Sequence, residues 1–126
     1  MQRLILIGLA GLIGTLARFG VSEIASKRIG ESFPWGTLIV NIVGCFLAGF
    51  LFYVVQERAL VSETTRLAIM VGFLGGFTTF SSFGLQTFTL LKSGQVGLGL
   101  LNVAVSNVVG IIVVWVGYSV SKVALS

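Results

Sequence analysis

Four apolar segments alternate with short charged stretches along the chain. They run about Leu4 to Ala25, Trp35 to Val55, Leu67 to Leu91 and Val96 to Val120. Each is about 20 residues or more, the length a helix needs to cross a hydrocarbon core of roughly 30 Å. The connecting stretches, Lys27 to Pro34, Glu57 to Arg66 and Lys92 to Gln95, leave no room for a soluble domain. The pattern predicts an all-α membrane protein, a single four-helix transmembrane domain over residues 1–126. The third segment interrupts its own pattern. Gly72-Phe73-Leu74-Gly75-Gly76-Phe77-Thr78-Thr79-Phe80-Ser81-Ser82-Phe83 puts hydroxyls, glycines and aromatic rings where plain hydrocarbon is expected. In lipid, broken backbone survives only where it is buried in protein or lines a polar cavity. The third helix is therefore predicted to break at midspan, and the break is a candidate permeation or ion site.

Composition agrees with the pattern and removes several function classes. Apolar residues make up 56% of the chain and charged residues only 10%, against about 25% charged in a soluble domain. The net charge of +4 comes without a basic cluster among polar residues, so nucleic-acid binding is not supported. The chain has no His and no Asp, and Cys45 is its one cysteine. Zinc, haem and iron–sulfur sites need clusters of such ligands, and an intrachain disulfide needs two thiols. Cys45 reads as a small buried hydrophobe. The residues read as a transport protein and not an enzyme. The N-terminal Met-Gln-Arg and the apolar run after it lack a small-x-small exit, so they read as a retained span and not a cleaved signal.

Charge placement bears on assembly. With four spans, one side of the membrane carries Arg3, Arg58, Arg66 and Lys122, and the other carries Arg18, Lys27, Arg28 and Lys92. Lys/Arg asymmetry orients spans, and here the eight basic residues divide evenly. A chain without bias can insert both ways, which predicts an antiparallel, dual-topology homodimer; the other reading is a weak orientation signal overridden by other features. Glycines recur in every span, as where helix backbones approach closely.

Several polar and aromatic positions are candidates for chemistry. Phe80 and Phe83 stand three apart on one helix face, and ring edges carry partial positive charge that can touch an anion; ordinary packing explains them as well. Asn41 lies in the second span with Thr37 one turn before it and Gly44 one turn after. Its NH2 can donate to an anion, or it can make an interhelical hydrogen bond. Asn102 and Ser106 lie four apart in the fourth span with Gly110 continuing the row, which suits either a polar track or helix–helix bonding. Arg18 either snorkels to the interface or forms the basic floor of a vestibule. A break near Gly75, Gly76, Thr78 and Thr79 frees carbonyls that suit a hard cation such as sodium, unless Ser/Thr side chains cap the freed groups. Ser62 is placed to cap the third helix.

These residues resemble a known family. Pro34-Trp35-Gly36-Thr37, Asn41 and Gly44, the block Gly72 to Phe83, and Gly14-x-x-x-Arg18 are similar to the bacterial fluoride channels called Fluc or CrcB, over essentially the whole chain. The resemblance implies a passive, fluoride-selective channel that exports fluoride from the cytoplasm across the bacterial inner membrane and lowers its toxicity. It implies two antiparallel pores in a homodimer. Asn41, Phe80, Phe83 and Ser106 would lie on the fluoride pathway, with Thr37, Ser81 and Asn102 beside them and Arg18 in the vestibule. Gly75 and Thr78 would give backbone carbonyls to a structural Na+ that is not transported. Relatives carry a tyrosine and a serine where Asn102 and Gly110 align, so Ser106 alone of that row transfers. Two other classes compete. A proton-coupled multidrug-type exporter needs a carboxylate deep in the first span, and Glu23 is too peripheral. A non-transporting accessory subunit accounts for the packing glycines but not for a polar break.

Overall fold

The computed structural model describes Met1 to Ser126 and is helical, with no strand. Helix α1 spans Gln2–Ile29. Helix α2 spans Trp35–Leu51 and continues as a widened π-helical stretch, Phe52–Glu57. Helix α3, Glu63–Leu67, passes through a second π-helical stretch, Ala68–Phe73, into α4, Leu74–Phe77. Helix α5 spans Phe80–Lys92 and α6 spans Val96–Leu125. Four stretches are long and apolar enough to cross a membrane: Gln2–Ile29, Trp35–Glu57, Glu63–Lys92 and Val96–Leu125. Each outruns its apolar segment, because the ladder of hydrogen bonds continues into the polar flanks.

Local chemistry sets the boundaries. Helix α1 carries Lys27 and Arg28 in its last turn, where the carbonyl end of the helix attracts cations. It stops at Gly30, whose φ of 110° favours a residue without Cβ. Pro34 sits at the N-cap of α2, just before the helix begins at Trp35. The Ser62 side chain caps α3 by accepting from the Thr65 amide at 3.2 Å. Gly94, at φ 83°, closes the short turn from α5 to α6.

The helices alternate in direction. Arg3 pairs with Glu63 at 3.8 Å and Arg58 donates to the Leu125 carbonyl, so the N-terminus, the Arg58–Ser62 connection and the C-terminus share one end. Two glycine seams hold the bundle. Helices α2 and α6 share the largest interface. A Cβ added at Gly49 would strike the Val114 carbonyl, and one at Gly117 would strike the Phe46 carbonyl. Helix α1 meets the third span through Gly14 against the Phe73 carbonyl, Gly72 against Ile7 and Gly76 against Gly11. With no hydrophobic drive in lipid, such backbone-to-backbone contact supplies the packing. Gly117→Leu is expected to separate α2 from α6 and lower stability by roughly 1–3 kcal/mol or more. Gly97→Ala, where a Cβ meets nothing within 4 Å, is expected to leave stability unchanged. Thermal melting in detergent checks both.

Only 20 of the 126 residues are buried within the chain, and Leu9, Leu16, Phe19, Ile111 and Trp115 are among the many large apolar side chains that face outward. That outer surface suits lipid. This is a multi-pass membrane protein.

Candidate functional site

The site is built around Thr78 and Thr79. Thr78 has ψ 159° and Thr79 has φ −151°, ψ 117°, both extended, so the helical ladder stops after Phe77 and restarts at Phe80. Asn41 on α2 fastens the interruption. Its Nδ2 donates to the Thr79 carbonyl at 2.9 Å, and its Oδ1 accepts from the Thr79 N–H at 2.8 Å. One amide side chain thus replaces both helical bonds that Thr79 forgoes. The Thr79 hydroxyl then caps α5: it accepts from the Ser82 amide at 3.3 Å and donates to the Ser82 hydroxyl at 3.1 Å. Thr78 turns back, donating from its hydroxyl to the Leu74 carbonyl at 2.9 Å. Its methyl rests on Gly44, where a Cβ would collide with it.

The glycine pair is not the unwound part. Gly75 and Gly76 lie inside α4. The sequence pattern put the break near Gly75, Gly76, Thr78 and Thr79 together; the two threonines are the extended residues, because there a partner side chain takes up the freed backbone groups. A backbone break at Gly75 would oppose a Cβ there, but Gly75 is helical. A Cβ there meets nothing within 4 Å of this chain, so nothing in a single chain opposes it. Gly76 is the tight position, facing the Gly11 carbonyl.

Two clefts meet at Thr79. A polar cleft of about 620 Å3 is lined by Arg18, Thr37, Thr79, Ser82 and Gln86, among others. Arg18 is half-buried there and supplies positive charge; Glu31 lines the same cleft. A more apolar groove of about 440 Å3 is lined by Asn41, Gly75, Thr78, Thr79 and Phe80. Thr37 and Asn41, one turn apart on α2, therefore open on the two sides of the clamp. Phe80 stands 82% exposed beside the groove, with the Phe83 ring centroid 5.5 Å away. Ser81 is exposed.

The α6 row is not brought to either cleft. Asn102 is 2% exposed and donates from Nδ2 to Thr87 Oγ1 at 3.0 Å. Ser106 donates to Asn102 Oδ1 at 3.4 Å. Sequence reasoning placed Thr79 at the break without seeing it as a cap, and it missed Thr87. Thr79 stands three before Ser82, the spacing of an N-cap and its N3 amide. Thr87 stands four after Phe83, whose carbonyl its hydroxyl reaches at 2.8 Å; nothing in the sequence marks its partner on α6. Cys45 is half-buried, its sulfur 3.4 Å from where a Gly110 Cβ would stand. Glu23 is exposed and pairs with Lys27 at 3.6 Å, so no deep carboxylate exists in α1.

The donor set is compatible with a hard monovalent cation. The Thr79 N–H that would bond the Gly75 carbonyl in an unbroken helix goes to Asn41 instead. The Thr78 carbonyl belongs to an extended residue and turns away from the ladder. No cluster of three His, Cys, Asp or Glu is present.

Comparison with known proteins shows the family. The model of the CrcB-like protein, Camphor Resistance (CrcB) family matches residues 5–118. The chain is 45% identical over 120 residues to the fluoride-specific ion channel FluC of Opitutus terrae, covering 94% of this chain and 91% of that one. It is 41% identical to the protein of the same name from Citrifermentans bemidjiense, covering 97% and 98%. For that of Salinibacter ruber the identity is 43%, covering 93% and 87%. The match spans residues 5–118, and the chain belongs to the CrcB family.

Proposed function

We propose that this protein is a passive, fluoride-selective channel, working as an antiparallel dual-topology homodimer in the bacterial inner membrane and exporting fluoride to protect the cell. The observation that carries the reading is the interruption at Thr78 and Thr79, fastened by a neutral amide, in a span with no acidic residue between Leu67 and Leu91. Proton coupling needs a titratable group at such depth. The names of the relatives, fluoride-specific ion channel FluC, supply the ion.

Fluoride is small and strongly hydrated, so its water must be replaced by donors that do not trap it. In this reading the polar cleft is the vestibule. Arg18 gathers anions there, and Thr37 offers a hydroxyl on the way to the clamp. Asn41 has a second N–H beyond the one given to Thr79, and that hydrogen faces the anion. The edges of Phe80 and Phe83 follow, with Ser81 and Ser106 as hydroxyl donors and Asn102 behind Ser106. The exposed Phe80 and the apolar groove beside Gly75 are covered by the second copy, which completes two pores. The interruption then lies at midspan, on the two-fold axis. The residues-1–126 unit acts as one transmembrane domain.

Gly75 and Thr78 would hold the structural Na+ through their carbonyls, two from each chain. The ion would supply fixed positive charge that ties the two interruptions together, and it is not transported. The protein catalyses no reaction.

Purified protein in liposomes should dissipate a fluoride gradient without any proton gradient and exclude chloride. Strict proton dependence, or equal chloride flux, would overturn the reading. Phe80→Ile and Phe83→Ile keep bulk and remove the ring edge. Each is expected to cut fluoride flux by roughly tenfold or more while the dimer persists; unchanged flux in both returns the rings to packing.

A further inference from the structure

Thr87 joins α5 to α6 through a hydrogen-bond chain with a fixed direction. Its hydroxyl proton goes to the Phe83 carbonyl at 2.8 Å. Its oxygen is therefore left to accept, and Asn102 Nδ2 donates to it at 3.0 Å. That sets which way the Asn102 amide points. Turned over, its carbonyl oxygen would face a Thr87 oxygen whose only proton is already committed. Asn102 is 2% exposed, so an unmatched amide there would be costly. The amide oxygen consequently faces Ser106, whose hydroxyl reaches it at 3.4 Å. This is longer than the usual range of about 2.5–3.0 Å for O–H···O, so the Ser106 proton is lightly held.

We infer that Thr87 is a positioning residue for permeation: by locking the Asn102 amide it gives the Ser106 hydroxyl a weak resting acceptor, from which the proton turns to a passing fluoride and to which it returns. The inference rests on the channel reading and on Ser106 as a pathway donor. The chemistry explains why a lock is useful. If the amide flipped, its NH2 would donate to Ser106 and polarise the hydroxyl, so that Ser106 would hold an anion more strongly. Conduction needs an ion held tightly enough to enter and loosely enough to leave. A weak competing acceptor keeps the donor from becoming a trap.

The test is a flux titration on the intact dimer in liposomes, with fluoride as the probe. Thr87→Val keeps the shape and removes both hydrogen bonds. It is expected to lower the fluoride concentration for half-saturation and the maximal flux together, each roughly fivefold. Thr87→Ser keeps the hydroxyl and is expected to restore both. Asn102→Leu removes the resting acceptor and is expected to shift both in the same direction as Thr87→Val, which covers the case in which the valine variant does not fold. In a Ser106→Ala background, Thr87→Val should have no further effect on half-saturation. Equal behaviour of Thr87→Val and Thr87→Ser, or a full valine effect without the Ser106 hydroxyl, would overturn the inference and leave Thr87 as a packing residue. Absence of fluoride flux in the unmodified protein would instead overturn the channel reading itself.

Discussion

Asn41→Asp should reduce fluoride flux by roughly a hundredfold, the largest effect expected of any single polar substitution in this chain. Two losses combine. The carboxylate can still accept from the Thr79 N–H, but it cannot donate to the Thr79 carbonyl that Asn41 now serves at 2.9 Å. An acceptor left unmet in this half-buried place costs up to about 1–3 kcal/mol, and a charged oxygen facing it costs more. The second loss is electrostatic, since a negative charge where the amide stands repels an anion. Asn41→Leu separates the two. It removes both clamp bonds without adding charge, so its flux should also fall and hydrogen exchange at the Thr79 amide should accelerate. Fluoride efflux from liposomes and amide exchange measure the two arms. Full flux in Asn41→Asp would remove Asn41 from both pathway and clamp. Normal exchange with lost flux would keep the donor role and discard the mechanical one.

The clamp also marks where sequence reading reached and where it stopped. The four spans were legible because hydropathy alone separates them, and Ser62 was legible because a cap needs only local spacing. The polar character of the third span was visible too, and it put the break near Gly75, Gly76, Thr78 and Thr79 without marking which of the four are extended. Glycine is the usual sign of non-helical backbone, but here Gly76 serves close approach to Gly11 and stays helical. What opens the ladder is a partner 38 residues away in sequence, Asn41, and no local signal carries that pairing. The same limit hid Thr87. Its i−4 bond to Phe83 is local, but its use depends on Asn102 arriving from α6. The π-helical stretches at Phe52–Glu57 and Ala68–Phe73 had no signature either. Asn41 itself was weighed as an anion donor or an interhelical bond, and the structure gives it the second role with one N–H left over for the first.

Gly75 and Gly76 provide the other large expected effect, because adjacent glycines should fail in different ways. A Cβ on Gly76 meets the Gly11 carbonyl and, at 3.1 Å, the Thr15 hydroxyl, so Gly76→Val should disrupt the α1 packing within each chain. Overpacking of this kind costs about 1–3 kcal/mol, more when backbone must move. Gly75 has open space around it and helical geometry, so Gly75→Ala should leave the single chain as stable or raise it by about 0.5–1 kcal/mol through helix propensity. If a second copy covers the groove beside Gly75, a larger side chain there blocks it. Gly75→Val should then yield a folded, helical, monomeric and inactive protein that no longer gains stability from sodium. Circular dichroism, size-exclusion chromatography with light scattering, and melting in sodium against a large organic cation separate the cases. A Gly75→Val protein that remains dimeric, conducting and sodium-stabilised would place the interface elsewhere. A Gly76→Val protein that melts like the parent would refute the α1 seam. The contrast is sharp because the two residues share composition and helix and differ only in which surface each turns toward: Gly76 faces a helix already in the chain, and Gly75 faces space that a single chain does not fill.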